Sequence, residues 1–196
     1  FERRGVPCVR YADDIVLLAK SERAAKRILE TSTTYLEDKL KLTVNRKKSK
    51  VTSVYAIRNF KFLGFALGRN GNGAFIRVHP KSWKKMKAKL KSLSSRRHVQ
   101  SVIPALGKIR GYMRGWLNYY GIAAMKQAIE ELNGWLYHRI RMCIWKMWKK
   151  PRSKMKYLMK LGIPKHYAFM AANSRRGYWH TSATSTVNRA LSKEIL

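Results

Sequence analysis

The sequence predicts an α+β fold on three observations. Up to residue 80, short apolar and β-branched runs alternate with glycine, asparagine and aspartate turns, the pattern of antiparallel hairpins. From Pro80 onward that pattern stops, and apolar residues recur at three- and four-residue spacing, the pattern of packed helices. The hydrophobic fraction of 45%, with 11% aromatic residues, is enough to build real cores despite a formal net charge of +33.

In chain order, residues 6–9 and 15–19 read as two strands joined at Tyr11-Ala12-Asp13-Asp14. Ser21 is a predicted N-cap for a helix over residues 22–40, with Ala24, Ile28, Leu29, Tyr35, Leu36 and Leu40 at roughly helical spacing. Strands are expected at Leu42 and Val44 and again at Val51 and Val54, around the basic loop Asn45-Arg46-Lys47-Lys48-Ser49. An apolar run over 60–67 meets the turn Arg69-Asn70-Gly71-Asn72-Gly73, and 74–78 is its return strand. Ser82 is the expected cap of a lysine-rich helix to about Leu93. A second helix is predicted over 102–120, with Leu106, Ile109, Met113, Trp116, Leu117 and Tyr120 on one face. A third, over 123–149, has Leu132, Leu136, Ile140, Cys143 and Met147 spaced for burial, and Pro151 is expected to end it. Three helices with short connections suggest a small bundle. Short helices over 155–161 and 165–172 precede a polar, basic tail.

Charge and cysteine content narrow the classes of function. The 43 Lys and Arg against 10 Asp and Glu imply a polyanionic partner, held by phosphate neutralisation and counterion release. A membrane-surface protein would concentrate such charge on one amphipathic helix, and no apolar run approaches the roughly 20 residues of a membrane span, so no membrane partner is expected. Cys8 and Cys143 form neither a disulfide framework nor a zinc ribbon, which predicts a reducing compartment. The chain opens on Phe1 rather than Met, close to the Asp-Asp pair, and residues upstream are expected.

Adjacent carboxylates repel, and Asp13-Asp14 at a hairpin tip is tolerable where a divalent metal neutralises the pair. Mg²⁺ takes such hard oxygen ligands and shares them with substrate phosphates, and paired ions about 3.5–4 Å apart clamp both oxygens of a phosphoryl transfer. A solvated turn is the plainer alternative. Further along, Gly107, Gly111 and Gly115 recur every fourth residue beside Lys108, Arg110 and Arg114. That strip suits either a nucleic-acid backbone or a closely packed helix. Trp116, Tyr119 and Tyr120 suit base stacking or, at helical spacing, core packing. Lys81, Lys84, Lys85, Lys87, Lys89, Lys91, Arg96 and Arg97 crowd one helix and its end, which favours a phosphate partner over a merely solvated face. The five histidines show no metal-ligand spacing.

Tyr11-Ala12-Asp13-Asp14 between apolar runs resembles the active-site hairpin of reverse transcriptases. Residues 42–49, Leu-Thr-Val-Asn-Arg-Lys-Lys-Ser, resemble the lysine-bearing motif that follows it, and Asn59-Phe60-Lys61-Phe62-Leu63-Gly64-Phe65 resembles the primer-grip turn. Arg114-Gly115-Trp116-Leu117-Asn118-Tyr119-Tyr120 is similar to a thumb, or X-domain, segment of group II intron maturases, and the likeness extends to Asn173-Ser174-Arg175-Arg176-Gly177-Tyr178-Trp179. The order of these motifs in so basic a chain resembles the C-terminal part of a group II intron reverse transcriptase/maturase.

That resemblance implies the C-terminal half of a polymerase palm over 1–80, with antiparallel hairpins and a helix. It implies a three-helix thumb over 81–150 and a small, helical, basic DNA-binding-like region over 151–196. The implied activity is RNA-directed DNA synthesis, with intron-RNA binding that assists splicing and supports intron mobility. Asp13 and Asp14 would be catalytic and hold two Mg²⁺ ions, with a third carboxylate on an upstream strand. Lys48 would assist pyrophosphate departure, and Phe62, Leu63 and Gly64 would position the primer end. Tyr11, Lys47, Lys84, Lys85, Lys87, Lys108, Arg110, Arg114, Arg175 and Arg176 would contact nucleic acid. Partners would be intron RNA, an RNA template with DNA primer, target DNA, deoxynucleotides and the upstream fingers and palm, in a bacterial cytoplasmic ribonucleoprotein. The chain by itself is expected to bind RNA without extending a primer. No nuclease-like metal cluster follows Trp179. The rivals are a maturase that binds RNA without polymerising and another polymerase such as an RNA-dependent RNA polymerase; Ala12 and the Gly-Trp segment count against the latter.

Overall fold

The computed structural model describes residues 1, 4–53, 56, 60–71, 73–97 and 101–192 and is α+β. It divides into two compact units, Phe1–His79 and Pro80–Leu196.

In the first unit, β1 (Cys8–Tyr11) pairs antiparallel with β2 (Asp14–Leu17), from Cys8 opposite Leu17 to Tyr11 opposite Asp14. Helix α1 (Glu22–Thr34) follows, its first turn capped by the Ser21 hydroxyl accepting from the Ala24 N–H at 3.2 Å. It widens into one π turn, Tyr35–Lys39. Lys41 then adopts φ +53° and the Leu42 N–H returns to the Leu36 carbonyl at 2.9 Å, closing the helix end. The strands expected at Leu42, Val44 and Val51 do not form. Instead the Asn45 carbonyl and side chain accept from the Lys48 N–H, at 3.0 and 3.2 Å, and the carbonyl also accepts from Ser49. Asn45 thereby offers the backbone a local turn in place of a ladder. Val54, Asn59 and Asn72 lie outside the described residues.

The second hairpin joins β3 (Phe65–Asn70) to β4 (Gly73–Val78), in register from Phe65 opposite Val78 to Asn70 opposite Gly73, as the glycine-asparagine turn predicts. Gly68 is buried under its cross-strand partner: a Cβ there would stand 2.4 Å from the Phe75 ring, so only glycine lets that ring lie down. The His79 N–H bonds the Gly64 carbonyl at 3.0 Å, tying the end of β4 to the turn that opens β3.

The second unit is helical. Helix α2 (Pro80–Leu93) starts two residues before the expected Ser82 cap, because proline at the first helical position brings its own φ and needs no N–H partner. Its inward seam is Trp83, Met86, Leu90 and Leu93, and Lys84, Lys85, Lys87, Lys89 and Lys91 occupy the solvated remainder. Helix α3 (Val102–Tyr120) has the predicted bounds. Ile109 is buried, and Leu106, Met113 and Trp116 pack on the core, while Leu117 stays open. Helix α4 (Lys126–Met147) is shorter than 123–149. From Ile140 to Trp145 it is buried on every side, and Ile144 and Trp145 take the place expected for Met147, which is exposed.

Pro151 opens a helix rather than ending one: α5 (Pro151–Lys160) turns into α6 (Lys165–Ala172) through Gly162 at φ +80°, where the Ile163 N–H reaches back to the Leu158 carbonyl. The expected polar tail is folded as α7 (Tyr178–Ser182) and α8 (Ser185–Ala190). Leu158, Val187, Ala190 and Leu191 join Met86, Leu90, Ile109, Leu132 and Ile140 in one core.

Basic side chains of α4 close the ends of its neighbours. Arg139 donates through Nε to the Ser94 hydroxyl at 2.7 Å and through Nη2 to the carbonyls of Lys91 and Ser94, both at 3.0 Å. Cys143 Sγ meets the Ser94 carbonyl at 3.4 Å, and Lys146 Nζ donates to the Arg96 carbonyl at 2.9 Å. At α7, Arg141 donates to the Ser182 carbonyl at 3.2 Å, and the His138 ring stacks on Trp179 with Nε2 2.8 Å from that residue's carbonyl. These are the orphan carbonyls that a helix C-terminus leaves, at the end of the dipole that favours cations. Burial pulls Arg139 and Arg141 below, and pushes the Cys143 thiol above, their ordinary pKa values.

Replacing Arg139 with Met removes three donors from the α2 end at once. A loss of about 1.5–3 kcal/mol, or more, is expected in urea unfolding, and Lys, which cannot make the forked contact, should recover only part of it. Unchanged stability in Arg139→Met would show that the clasp is incidental.

Candidate functional site

At the tip of the first hairpin Tyr11 pairs with Asp14, leaving Ala12 and Asp13 as a two-residue loop. Ala12 has φ +52°, a conformation alanine seldom adopts, and its carbonyl is braced by Arg10 Nε at 3.0 Å. Such strain persists where the surroundings hold it, and it recurs at working sites. The result is two consecutive carboxylates, Asp13 and Asp14, on an exposed tip, with Tyr11 63% exposed beside them. Among the described residues no group of three or more His, Cys, Asp or Glu converges as a metal cage. Two hard carboxylates match the donor set of Mg²⁺, which keeps water and borrows phosphate oxygens for its other positions.

Lys47 and Lys48 are exposed on the turn anchored by Asn45. Arg46, grouped with them in the sequence, is engaged with Glu37 at 2.7 Å. Phe62, Leu63 and Gly64 build a tight reverse turn: Phe62 and Phe65 exchange backbone hydrogen bonds at 3.1 and 2.8 Å, and Leu63 and Gly64 both have positive φ, +50° and +81°. Positive φ at both central residues is the requirement of a type I′ hairpin turn.

In the second unit, Lys84, Lys85 and Lys87 are exposed on α2, Lys108, Arg110 and Arg114 on α3, and Arg175 and Arg176 between α6 and α7. Arg176 Nη1 lies 3.2 Å from His180 Nε2. From Pro80 onward the only carboxylate side chains in the sequence are Glu130, Glu131 and Glu194. The glycine strip of α3 is open: a Cβ at Gly107, Gly111 or Gly115 would meet nothing within 4 Å. Close packing of another helix there is excluded among the described residues. Trp116 and Tyr120 belong to an aromatic stack with Trp83, at centroid distances of 5.0 and 4.5 Å, so they pack, while Tyr119 projects.

Sequence reasoning passed over several exposed large apolar side chains. Tyr167, Phe169 and Met170 stand out from α6 while Ala168 and Ala172 are buried, an inverted pattern in which the small residues face the core. Lys154 lies over the Trp145 and Tyr178 rings, at 4.9 and 5.5 Å, and burial lowers its pKa.

Because the strip is open, Gly107, Gly111 and Gly115 changed together to Ala should fold normally and stabilise α3 by about 0.5–1 kcal/mol each. If an RNA backbone lies on the strip, the same variant binds RNA more weakly, as does the Lys108, Arg110, Arg114→Ala triple variant. Full RNA affinity in both, by filter binding, would remove α3 from the interface.

A family model described as reverse transcriptase (RNA-dependent DNA polymerase) matches residues 1–67. A second, described as group II intron, maturase-specific domain, matches residues 83–162. The chain has no match among the curated proteins. Among the described residues no helix is long and apolar enough to cross a membrane. A reverse transcriptase region followed by a maturase-specific domain places the chain in the group II intron reverse transcriptase/maturase family.

Proposed function

We propose that the chain serves RNA-directed DNA synthesis through its first unit and holds intron RNA through its second, assisting splicing in a ribonucleoprotein. The observation that carries this is the pair Asp13 and Asp14, exposed on a strained hairpin tip inside the reverse transcriptase region. In this reading residues 1–80 are palm, 81–150 thumb and 151–196 a basic DNA-contacting region.

Asp13 and Asp14 would hold Mg²⁺, with a third carboxylate that the described residues do not bring to the hairpin. Bound there, the metal supplies charge stabilisation to the attacking and leaving oxygens of nucleotidyl transfer. Ala12, held in its unusual conformation by Arg10, sets the direction in which the two carboxylates leave the hairpin. Tyr11, opposite Asp14, offers an exposed ring to the primer–template end. The reverse turn at Phe62, Leu63 and Gly64 would steady the primer, with the backbone of Gly64 able to approach it closely. Lys48 would place positive charge, or a proton, on the departing pyrophosphate, and Lys47 would meet backbone phosphate. On the second unit Lys84, Lys85, Lys87, Lys108, Arg110, Arg114, Arg175 and Arg176 would neutralise phosphates of intron RNA, of the RNA template with its DNA primer, and of target DNA.

The second reading is an RNA-binding maturase without polymerisation; the Asp13-Asp14 pair counts against it, and the third carboxylate, expected on an upstream strand, would decide it. Asp13→Asn in the complete enzyme separates the two. It preserves size and hydrogen bonding while removing one charge from the metal site. Primer extension should fall at least about a thousandfold, roughly 4 kcal/mol, with intron-RNA affinity unchanged. Extension near the parental rate would make Asp13 a turn residue, and joint loss of extension and affinity would make the hairpin structural.

A further inference from the structure

A cleft of ≈ 620 Å³ opens where the end of α4 meets the start of α5, lined by Val102, Met147, Trp148, Lys149, Lys150 and Tyr157 among others. Its size is that of a small-molecule site rather than a packing defect. One wall is a ready-made stack: the Trp148 and Tyr157 rings lie 5.1 Å apart and within 17° of parallel. Behind Trp148 the Trp145 ring stands 5.8 Å away, tilted by 60°, and Trp145 is buried, so the stack ends inward at the core. Tyr157, 44% exposed, is its outer end. Lys149 and Lys150 are exposed at the rim, and among the described residues no carboxylate lines the cleft.

We propose that this cleft takes one unpaired base of a nucleic-acid strand, stacked against Tyr157, with the neighbouring phosphate on Lys149 and Lys150. The inference rests on the nucleic-acid reading of the second unit and names the kind of strand that unit can hold. Aromatic side chains stack on any base, because every base has a π face, and cations beside them follow the backbone. A paired A-form duplex keeps its bases stacked inside, so only an unpaired nucleotide presents a face to Tyr157. The two rim lysines favour a polyanion over an apolar peptide. A second copy of a chain with net charge +33 would be repelled.

The test compares a 16-nucleotide oligoadenylate with an RNA duplex of equal length, using the whole chain. Tyr157→Ala should weaken single-strand binding about tenfold, leave duplex binding unchanged, and leave the salt dependence unchanged because no cation is lost. Tyr157→Phe, which keeps the ring, should bind the single strand as the parent does. Lys149→Ala with Lys150→Ala should reduce the slope of log K against log salt on the single strand by about 0.7, the share of the one phosphate they hold. Equal single-strand affinity in Tyr157→Ala, with or without a lower melting temperature, overturns the proposal by making the stack a packing element. Equal losses on strand and duplex, or failure of Tyr157→Phe to retain affinity, overturn it as well. If the parent chain binds neither RNA, the nucleic-acid reading of the second unit fails, and this inference falls with it.

Discussion

The second unit depends on how the end of α2 is closed. Ser94 is only 2% exposed, and the carbonyls around it have run out of helix. In a region so poor in carboxylates, α4 meets them with cations: Arg139 clasps Lys91 and Ser94, and Lys146 reaches Arg96. On its other side Arg141 does the same for α7, and the His138 ring lies against the Trp179 carbonyl. Helix-end carbonyls thus take the role that acidic side chains have elsewhere. They attract positive charge without cancelling it, because a carbonyl carries only partial charge. Folding therefore consumes few carboxylates, and among the described residues it leaves Lys84, Lys85, Lys87, Lys89 and Lys91 of α2 and Lys108, Arg110 and Arg114 of α3 exposed, as the proposed phosphate-binding surface requires.

The two units divide the chemistry. In the first, the notable features are conformational: positive φ at Ala12, Lys41 and Leu63, each holding a short loop in a shape that ordinary side chains resist. Ala12 orients the Asp13-Asp14 pair and Leu63 shapes the reverse turn beside Gly64. In the second, the notable features are electrostatic and aromatic, spread over α2 to α7. A site that turns over substrate needs a few groups fixed in direction, whereas a surface that grips a long polyanion needs many cations with looser placement.

How much of this was legible in the sequence follows from how local each signal is. Helices α3 and α6 appear with their predicted bounds because their apolar spacing is carried by their own residues. The β3–β4 hairpin announces itself through its asparagine-glycine turn, and the carboxylate pair through the apolar runs around it. Signals that depend on distant partners were misread. Leu42, Val44 and Val51 have strand-like side chains, but Asn45 and Lys41 offer a local turn that wins. Pro151 reads as a stop and also suits a first helical position, and only the helix after it decides between the two. Helices α7 and α8, of five and six residues, are too short for periodicity to register. Nothing in the pattern of α4 marks Arg139 or Arg141 as inward-facing, since a basic residue in a basic chain reads as surface until its carbonyl partners are known. The Trp148–Tyr157 stack joins a residue just past the end of α4 to one on α5, nine positions on, beyond any spacing rule.

The central claim is that the cations this fold leaves unneutralised hold RNA by its phosphates. The most direct measurement is the affinity of the chain for a generic RNA at a series of salt concentrations. Engagement of about 6–10 phosphates predicts a straight, steep plot of log K against log salt, with affinity falling roughly 10³- to 10⁵-fold between 50 and 200 mM. A nearly flat plot would contradict the account, because binding would then rest on contacts other than those the charged faces provide.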